Sequence, residues 1–294
     1  MRIAVAGASG LIGSALVPAL RDAGHEVVRL VRRAPESPDE AAWSPEAGTV
    51  ERDALRDVEA VVNLAGVDIG QRWTAETKRA IRDSRVDGTR LLAETVAALE
   101  RRPALLLASA VGCYGQRGDE ELTEESSSGD GFLADVVRDW EAAADPARTA
   151  GARVVHFRQG LVLSKSGGAL ARMLLPFRLG VGGRVGSGTQ WWSWVSLDDV
   201  VAAYLHALDH PLDGAYNLAA PAVRNREFVD ALGRVLHRPT VFPLPGVAVK
   251  LAFGEMGEQM LLGGQRVVPA RLTAAGFAFA YAELDAALAR AMTR

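Results

Sequence analysis

The chain has 294 residues, a formal net charge of −3 and a hydrophobic fraction of 49%. That is enough apolar material for one large domain or for a large and a small lobe. The slight acidity gives no reason to expect nucleic acid or an anionic membrane as partner. The single cysteine, Cys113, excludes an intramolecular disulfide and fits a reducing compartment. No apolar run approaches the ~20 residues of a membrane helix. The glycine-punctuated opening, which continues into Arg21 and Asp22, does not read as a signal peptide. The expected location is the cytoplasm.

Arg2 to Ala6 reads as a short buried strand. Gly7-Ala8-Ser9-Gly10-Leu11-Ile12-Gly13 follows, and an apolar-periodic helix runs on to about Ala23. Glycines in such a turn let backbone approach a pyrophosphate and let the helix pack on the sheet. The helix N-terminus then offers free N–H groups and a partial positive charge to the phosphates. The spacing is G-x-x-G-x-x-G, a weak signal alone, but a second strand at Glu26 to Val31 completes a βαβ unit. An acidic residue at the end of that strand would hold the ribose 2′-OH of NAD. Here Arg32 and Arg33 stand instead, and a guanidinium pairs with a 2′-phosphate. The expected cofactor is therefore NADP(H); a solvated basic strand end is the alternative.

Alternation continues along the chain. Val58 to Leu64 is an apolar strand ending in Asn63-Leu64-Ala65-Gly66. Thr74 to about Arg101 is a long helix with Thr74 as its N-cap. Ala104 to Ala110 and Arg153 to Phe157 read as strands, with a helix at Phe132 to Ala144 between them. The acidic, glycine-rich stretch Gly115 to Gly131 reads as a loop at a cleft mouth. Asp198 to Leu208 is helical, with Asp198 as its expected cap, and Gly214 to Leu218 is strand-like. The fold class is α/β, a Rossmann-type doubly wound parallel sheet with a smaller C-terminal substrate lobe. Residues 1–164 form the cofactor domain, its sheet completed by 197–219; residues 165–196 and 220–294 form the lobe. Ligands of such sheets sit beyond the C-terminal strand ends, so the segments after Ala6, Val31, Leu64, Ser109 and Arg158 should line one cleft.

Other chemistry finds little support. His206 and His210 are four apart on a helix, but no third ligand is placed and Pro211 follows, so a surface pair is expected and no metal. No serine stands in G-x-S-x-G and no phosphate-binding P-loop is present. Cys113 has no identifiable partner base, which favours packing. The glycine-dense region before Asp198 carries Arg184, Gln190, Trp191 and Trp194, a set suited to holding a polar aromatic ligand or to packing a small core.

Together these segments resemble the extended short-chain dehydrogenases/reductases. More narrowly they resemble an atypical epimerase-like subgroup whose members are often described only as epimerase family proteins, and sometimes as cell-division inhibitors. The resemblance rests on Gly7 to Gly13, Asn63 to Gly66, Gln71-Arg72-Trp73-Thr74 with Ser84-Arg85, and Phe132-Leu133 with Trp140-Glu141. It extends through Arg158 to Leu163, Leu175 to Gly180, Ser193-Trp194, Asn217 and Gly264 to Pro269. It implies NADP(H) held by Gly7, Ser9, Gly10, Leu11, Ile12, Gly13, Arg32, Arg33, Leu64, Ala65, Gly66, Arg85 and Leu161. It also implies a small-molecule substrate of the nucleotide-sugar type and, by analogy, a homodimer through the helices at 74–101 and 132–144.

Active members of the wider family use an Asn, Ser, Tyr and Lys tetrad, in which Tyr moves a proton and Lys lowers its pKa. This chain contains no Tyr-x-x-x-Lys: its tyrosines are Tyr114, Tyr204, Tyr216 and Tyr281, and its lysines Lys78, Lys165 and Lys250. By spacing, the Ser position falls on Ala110 with Ser109 one residue off, the Tyr and Lys positions on Leu133 and Val137, and the Asn position on Arg85. The subgroup pattern also carries Tyr in place of Cys113 and His in place of Ser196. Two functions remain open. One is an epimerase or oxidoreductase using other groups, with Tyr114 as the acid candidate and Ser109, Glu141 and Arg85 assisting. The other is a non-catalytic NADP(H)-binding sensor or regulatory protein.

Overall fold

A computed structural model describes residues 1–293. The first half alternates β1 (Arg2–Ala6), α1 (Gly13–Asp22), β2 (Glu26–Val31), β3 (Glu40–Ser44), β4 (Thr49–Val50), β5 (Ala60–Asn63), α2 (Ala75–Ala98) and β6 (Ala104–Ala110). Then come β7 (Glu121–Leu122), α3 (Phe132–Ala142), α4 (Asp145–Thr149), β8 (Val154–Gln159) and β9 (Leu161–Leu163). The remainder holds α5 (Gly168–Arg178), β10 (Trp191–Trp192), β11 (Trp194–Ser196), α6 (Leu197–Asp209), β12 (Gly214–Leu218), β13 (Val223–Arg224), α7 (Asn225–Leu236), α8 (Gly246–Gly257) and β14 (Arg266–Val267).

Eight strands form one sheet in the order β12-β8-β6-β5-β1-β2-β3-β4, parallel except for the β3–β4 pair at its edge. The sequence of β1 shows why the sheet is covered on both sides. Ile3 and Val5 point into one core with Leu16 and Leu20 of α1 and Val200 and Tyr204 of α6. Ala4 and Ala6, one pleat step away, point into another with Leu92 and Val96 of α2. A further apolar core joins β9, α5, α7 and the helix Leu284–Thr293. The order turns back on itself between β1 and β5, and their pairing ends at Ala6 opposite Asn63. A crevice therefore opens beyond those two strand ends. Among the described residues no helix is long and apolar enough to cross a membrane.

Several expected bounds shift for local reasons. The strand expected at Val58 to Leu64 is Ala60–Asn63, because Leu64 already turns away. Thr74 caps α2, its hydroxyl accepting from the Thr77 N–H at 3.1 Å, but the helix stops at Ala98. Asp198 is not the cap of α6. Ser196 is, accepting from the Asp199 N–H at 2.9 Å, while Asp198 lies in the first turn and pairs with Arg290. The Asp199 carboxylate accepts from the N–H groups of Ala280 and Tyr281 and so pins the C-terminal segment.

His156 sits inside β8 at 2% exposure. Its Nε2 lies 3.3 Å from Arg148 Nη2, which donates to it if the ring is neutral. Burial pushes its pKa down to about 4, against the pull of the Glu141 carboxylate. A folded pKa below the unfolded one means the unfolded chain binds more protons in between, so this stability is present above about pH 6.5 and lost as pH falls toward 4. We expect His156→Gln to flatten the fall of unfolding free energy between pH 6.5 and 4.5 by up to about 1.4 kcal/mol per pH unit. Denaturant melts across that range measure it; an unchanged slope would place the acid sensitivity elsewhere.

Candidate functional site

Three glycines shape the turn between β1 and α1. Gly7 has φ +77°, and a Cβ there would lie 2.7 Å from the Leu64 carbonyl carbon and 2.8 Å from Ala65 N. A Cβ on Gly13 would overlap the Gly7 carbonyl oxygen. The Gly10 N–H donates to that same oxygen at 3.0 Å. The turn after β1 is thus pressed against the turn after β5, with backbone on backbone. The N-terminus of α1 carries no side-chain cap. Its first N–H groups, at Leu11, Ile12 and Gly13, stand at the crevice as donors for an anion.

The second turn is held from below. Asn63 accepts from the Ala65 N–H at 3.1 Å and donates to the Thr89 hydroxyl at 3.1 Å, which also accepts from the Trp140 ring N–H at 2.9 Å. Arg85 lies under the same turn. Its Nη1 donates to the carbonyls of Val67 and Ile81, both at 3.0 Å, and a Cβ on Gly66 would meet its guanidinium carbon at 3.1 Å. Burial lowers its pKa to about 10, so it stays charged at neutral pH. Leu161, in β9, pairs with Trp194 and packs against the core of the C-terminal lobe, and Leu11 touches the Gly167–Gly168 turn that opens α5.

The two arginines after β2 have different situations. Arg33 is held by Glu40 in a two-pronged pair at 2.8 and 2.9 Å, and by Glu36 at 3.4 Å. The Arg33 hydrogen bonds hold the Glu40 carboxyl below the usual carboxylate range. Arg32 is exposed and makes no hydrogen bond or ion pair among the described residues. Of the pair, Arg32 is the one able to receive a new anion, whereas Arg33 would have to give up Glu40.

At the ends of β6, β8 and β12 lies a buried polar chain. Ser109 donates to Glu141 at 2.6 Å, and Arg158 grips the same carboxylate through two hydrogen bonds at 2.9 and 2.8 Å. Arg158 also donates to the Tyr114 hydroxyl at 3.0 Å, and that hydroxyl donates to Asn217 at 2.7 Å. Asn217 in turn donates to the Val268 carbonyl at 3.0 Å. Burial opposes a charge on Glu141, but the Arg158 pair prevails and holds it ionised. Tyr114 does not face the crevice as expected. It is fully buried, its hydroxyl is occupied as donor and acceptor, and burial raises its pKa well above the usual range. It serves packing and hydrogen bonding, and Ser109, at 3% exposure, is likewise turned inward. Burial pushes the Cys113 thiol up to about 12, so that it too packs.

Two open clefts lie between the loop at 115–131 and the C-terminal lobe. One, of about 620 Å³, is lined by Gly112, Gln116, Arg117, Leu133, Gln259 and Gln265 among others. The other, of about 470 Å³, is lined by Asp119, Thr189, Gln190, Trp191, Arg224 and Arg226 among others. Trp191 is clasped between the guanidiniums of Arg224 and Arg266, 3.9 and 4.7 Å from its ring centroid, and donates to Asp119 at 2.9 Å. Gln190 spends its amide on the carbonyls of Val185 and Leu261. Arg184 is exposed beside Gly188. Trp194 takes the packing alternative rather than the ligand one: it is fully buried in the lobe core and lines neither of these clefts. His206 and His210 stack at 3.9 Å, with His206 Nε2 at 3.2 Å from the Ala275 carbonyl. Sequence reasoning passed over Asp119 and Arg224 and met Arg266 only within the Gly264 to Pro269 motif; only the pairing of β10 with β13 brings Arg224 to Trp191.

Residues 3–219 match the model of the NAD dependent epimerase/dehydratase family, and residues 244–291 match a domain of unknown function, DUF1731. The chain therefore belongs to the NAD dependent epimerase/dehydratase family. It is 50% identical over 296 residues to an epimerase family protein of Mycobacterium tuberculosis, covering 99% of this chain and 98% of the relative. The crystal structure of the human epimerase family protein SDR39U1 (isoform 2) with NADPH superposes with a TM-score of 0.89 at 36% identity, covering all of both chains. A nucleoside-diphosphate sugar epimerase from Corynebacterium glutamicum gives 0.83 at 38% identity over 99% of this chain and 58% of that one.

The buried chain makes a graded prediction. Arg158→Met leaves the Glu141 carboxylate without its partner and should cost about 3–5 kcal/mol of unfolding free energy. Tyr114→Phe removes one hydroxyl and should cost about 1–2 kcal/mol. Equilibrium denaturation measures both. A loss below about 1 kcal/mol for Arg158→Met would contradict the pairing.

Proposed function

We propose that this protein binds NADP(H) in the crevice between β1 and β5 and presents it to a small polar substrate, of the nucleotide-sugar type, in the clefts beneath the C-terminal lobe. The observation that carries the reading is the uncapped start of α1 pressed by Gly7 and Gly13 onto the turn after β5. That helix start fits a diphosphate because it has no side-chain cap, and a Cβ on either glycine would strike backbone and push the two turns apart. Leu11, Ile12 and Gly13 would offer N–H donors to the diphosphate, with Ser9 and Gly10 shaping the turn. Arg32 would pair with the 2′-phosphate, and Arg33 keeps the strand end in place through Glu40. Leu64, Ala65, Gly66, Arg85 and Leu161 would line the other half. The relative solved with NADPH supports this choice of cofactor.

In this reading residues 1–164 with 197–219 hold the cofactor, and residues 165–196 with 220–294 face the substrate. Arg184, Arg224 and Arg226 offer cations to an anionic substrate, and the Trp191 ring, covered by Arg224 and Arg266, holds that side of the cleft in place. Gln190 lines the smaller cleft with its amide nitrogen committed to Val185 and Leu261, and Trp194 shapes the lobe from its core.

Bound NADP(H) supplies a hydride donor or acceptor. The proton chemistry of this chain differs from a Tyr–Lys relay. Leu133, which lines the larger cleft, and Val137, which is buried, hold no titratable group, and Arg85 keeps its proton at neutral pH. Tyr114, with its hydroxyl committed to Arg158 and Asn217, positions the strand ends. A reaction here would draw its proton from the substrate or solvent. The second reading, a non-catalytic NADP(H) sensor, is favoured by the inward orientation of Tyr114 and Ser109.

Fluorescence titration with NADPH and NADH tests the cofactor. NADPH should bind at least about tenfold more tightly, and Arg32→Ala should remove most of that preference, as expected for loss of one charge-assisted contact. Equal binding of the two would rule out the role of Arg32. Stereospecific transfer of labelled hydride to any nucleotide-sugar would exclude the sensor.

A further inference from the structure

Arg85 is a half-buried cation that makes no ion pair among the described residues, with only the Asp68 carboxylate acting on it at a distance. Its guanidinium sits on two neutral carbonyls, Val67 and Ile81, with its carbon 5.2 Å from the Trp140 ring centroid. No carboxylate reaches ion-pair distance among the described residues, and the neighbouring Asp68 is engaged by Arg172. Burying an unpaired charge is costly. The surrounding structure nonetheless holds it in one place, against Gly66, at the lip of the crevice. It also occupies the α3 side of that lip: Trp140, on which it rests, is one helical turn from Val137.

The layout of the crevice says which part of a dinucleotide meets this charge. With the 2′-phosphate at Arg32 beyond β2 and the diphosphate at α1, the nicotinamide half extends across the ends of β5 and β6. The turn after β5, with Arg85 beneath it, lies on that half. The phosphates carry the same charge in both redox forms, so attraction to them favours neither. The nicotinamide ring is cationic when oxidised and neutral when reduced. A fixed guanidinium beside it opposes only the oxidised form.

We propose that Arg85 makes the site selective for the redox state of its cofactor, retaining NADPH and disfavouring NADP⁺. This rests on the dinucleotide reading given above. The oxidised product of any hydride transfer is then the form that leaves readily. In a sensor, the same charge makes occupancy report the ratio of NADPH to NADP⁺ rather than their sum.

Calorimetric titration of the full chain with NADPH and with NADP⁺ tests the proposal without turnover. The wild type should bind NADPH at least about tenfold more tightly, the scale set by a unit charge several ångströms from another at an effective dielectric near 20. Arg85→Gln should bring the ratio toward one, chiefly by tightening NADP⁺. Arg85→Lys, which keeps the cation, should preserve the preference. Thermal melts establish that each variant is folded, and the wild-type ratio decides the matter even if Arg85→Gln is not. Equal affinities in the wild type would overturn the selectivity while leaving the dinucleotide site standing. A wild type that binds neither form would overturn both.

Discussion

At Gly7 backbone meets backbone with no room for a side chain, and the site is arranged around that approach. Parallel strands β1 and β5 bring their C-terminal ends together at Ala6 and Asn63. The chain must leave both ends without a clash. It does so only because Gly7 takes a left-handed φ against Leu64 and Ala65, and because Gly13 lets α1 start on top of the Gly7 carbonyl. The same geometry leaves the start of α1 without a side-chain cap and exposes its N–H groups. A packing constraint and an uncapped helix N-terminus are here one feature.

The rest of the site is held by two consecutive residues of α3. Trp140 donates to Thr89 and so stiffens the Asn63 to Gly66 turn that Gly7 touches. Glu141 binds Ser109 and Arg158 and so ties the ends of β6 and β8, from which Tyr114 and Asn217 are reached. One helix thus connects the floor of the crevice to the strand ends beside it. The polar groups in these networks are mutually satisfied, which is how a buried carboxylate and guanidinium are tolerated. It is also why Tyr114 has no hydrogen-bonding capacity left for a ligand. Arg85 differs from Arg158 in this respect: no carboxylate hydrogen-bonds to it, Asp68 acting only at a distance, and it lies against Gly66.

Much of this was legible in the sequence where local physics decided the outcome. The bounds of β1, β2, β6 and β12 follow from apolar runs between turn residues, and the Thr74 cap follows from its hydroxyl before a helical stretch. Edge strands β3 and β4 were missed because Glu40–Ser44 has little apolar alternation; its place comes from pairing with β2. Ser196, rather than Asp198, caps α6 because β11 delivers it there in register with β9. Of the two tryptophans proposed for a ligand, Trp191 reaches a cleft and Trp194 fills the core. That difference is set by which face of the lobe each strand presents, and spacing along the chain does not carry it. The pairing of Arg33 with Glu40 likewise needs the bend between β2 and β3.

The central claim is that one crevice, between β1 and β5, holds NADP(H) with its 2′-phosphate at Arg32 and its nicotinamide half over Gly66 and Arg85. A crystal structure of the protein grown with NADPH tests it most directly. The account predicts density for the diphosphate on the N–H groups of Leu11 to Gly13, with Arg32 turned onto the 2′-phosphate and the nicotinamide beside the Asn63 to Gly66 turn. Cofactor density in any other cleft, or a reversed orientation that places adenine over Arg85, would contradict it.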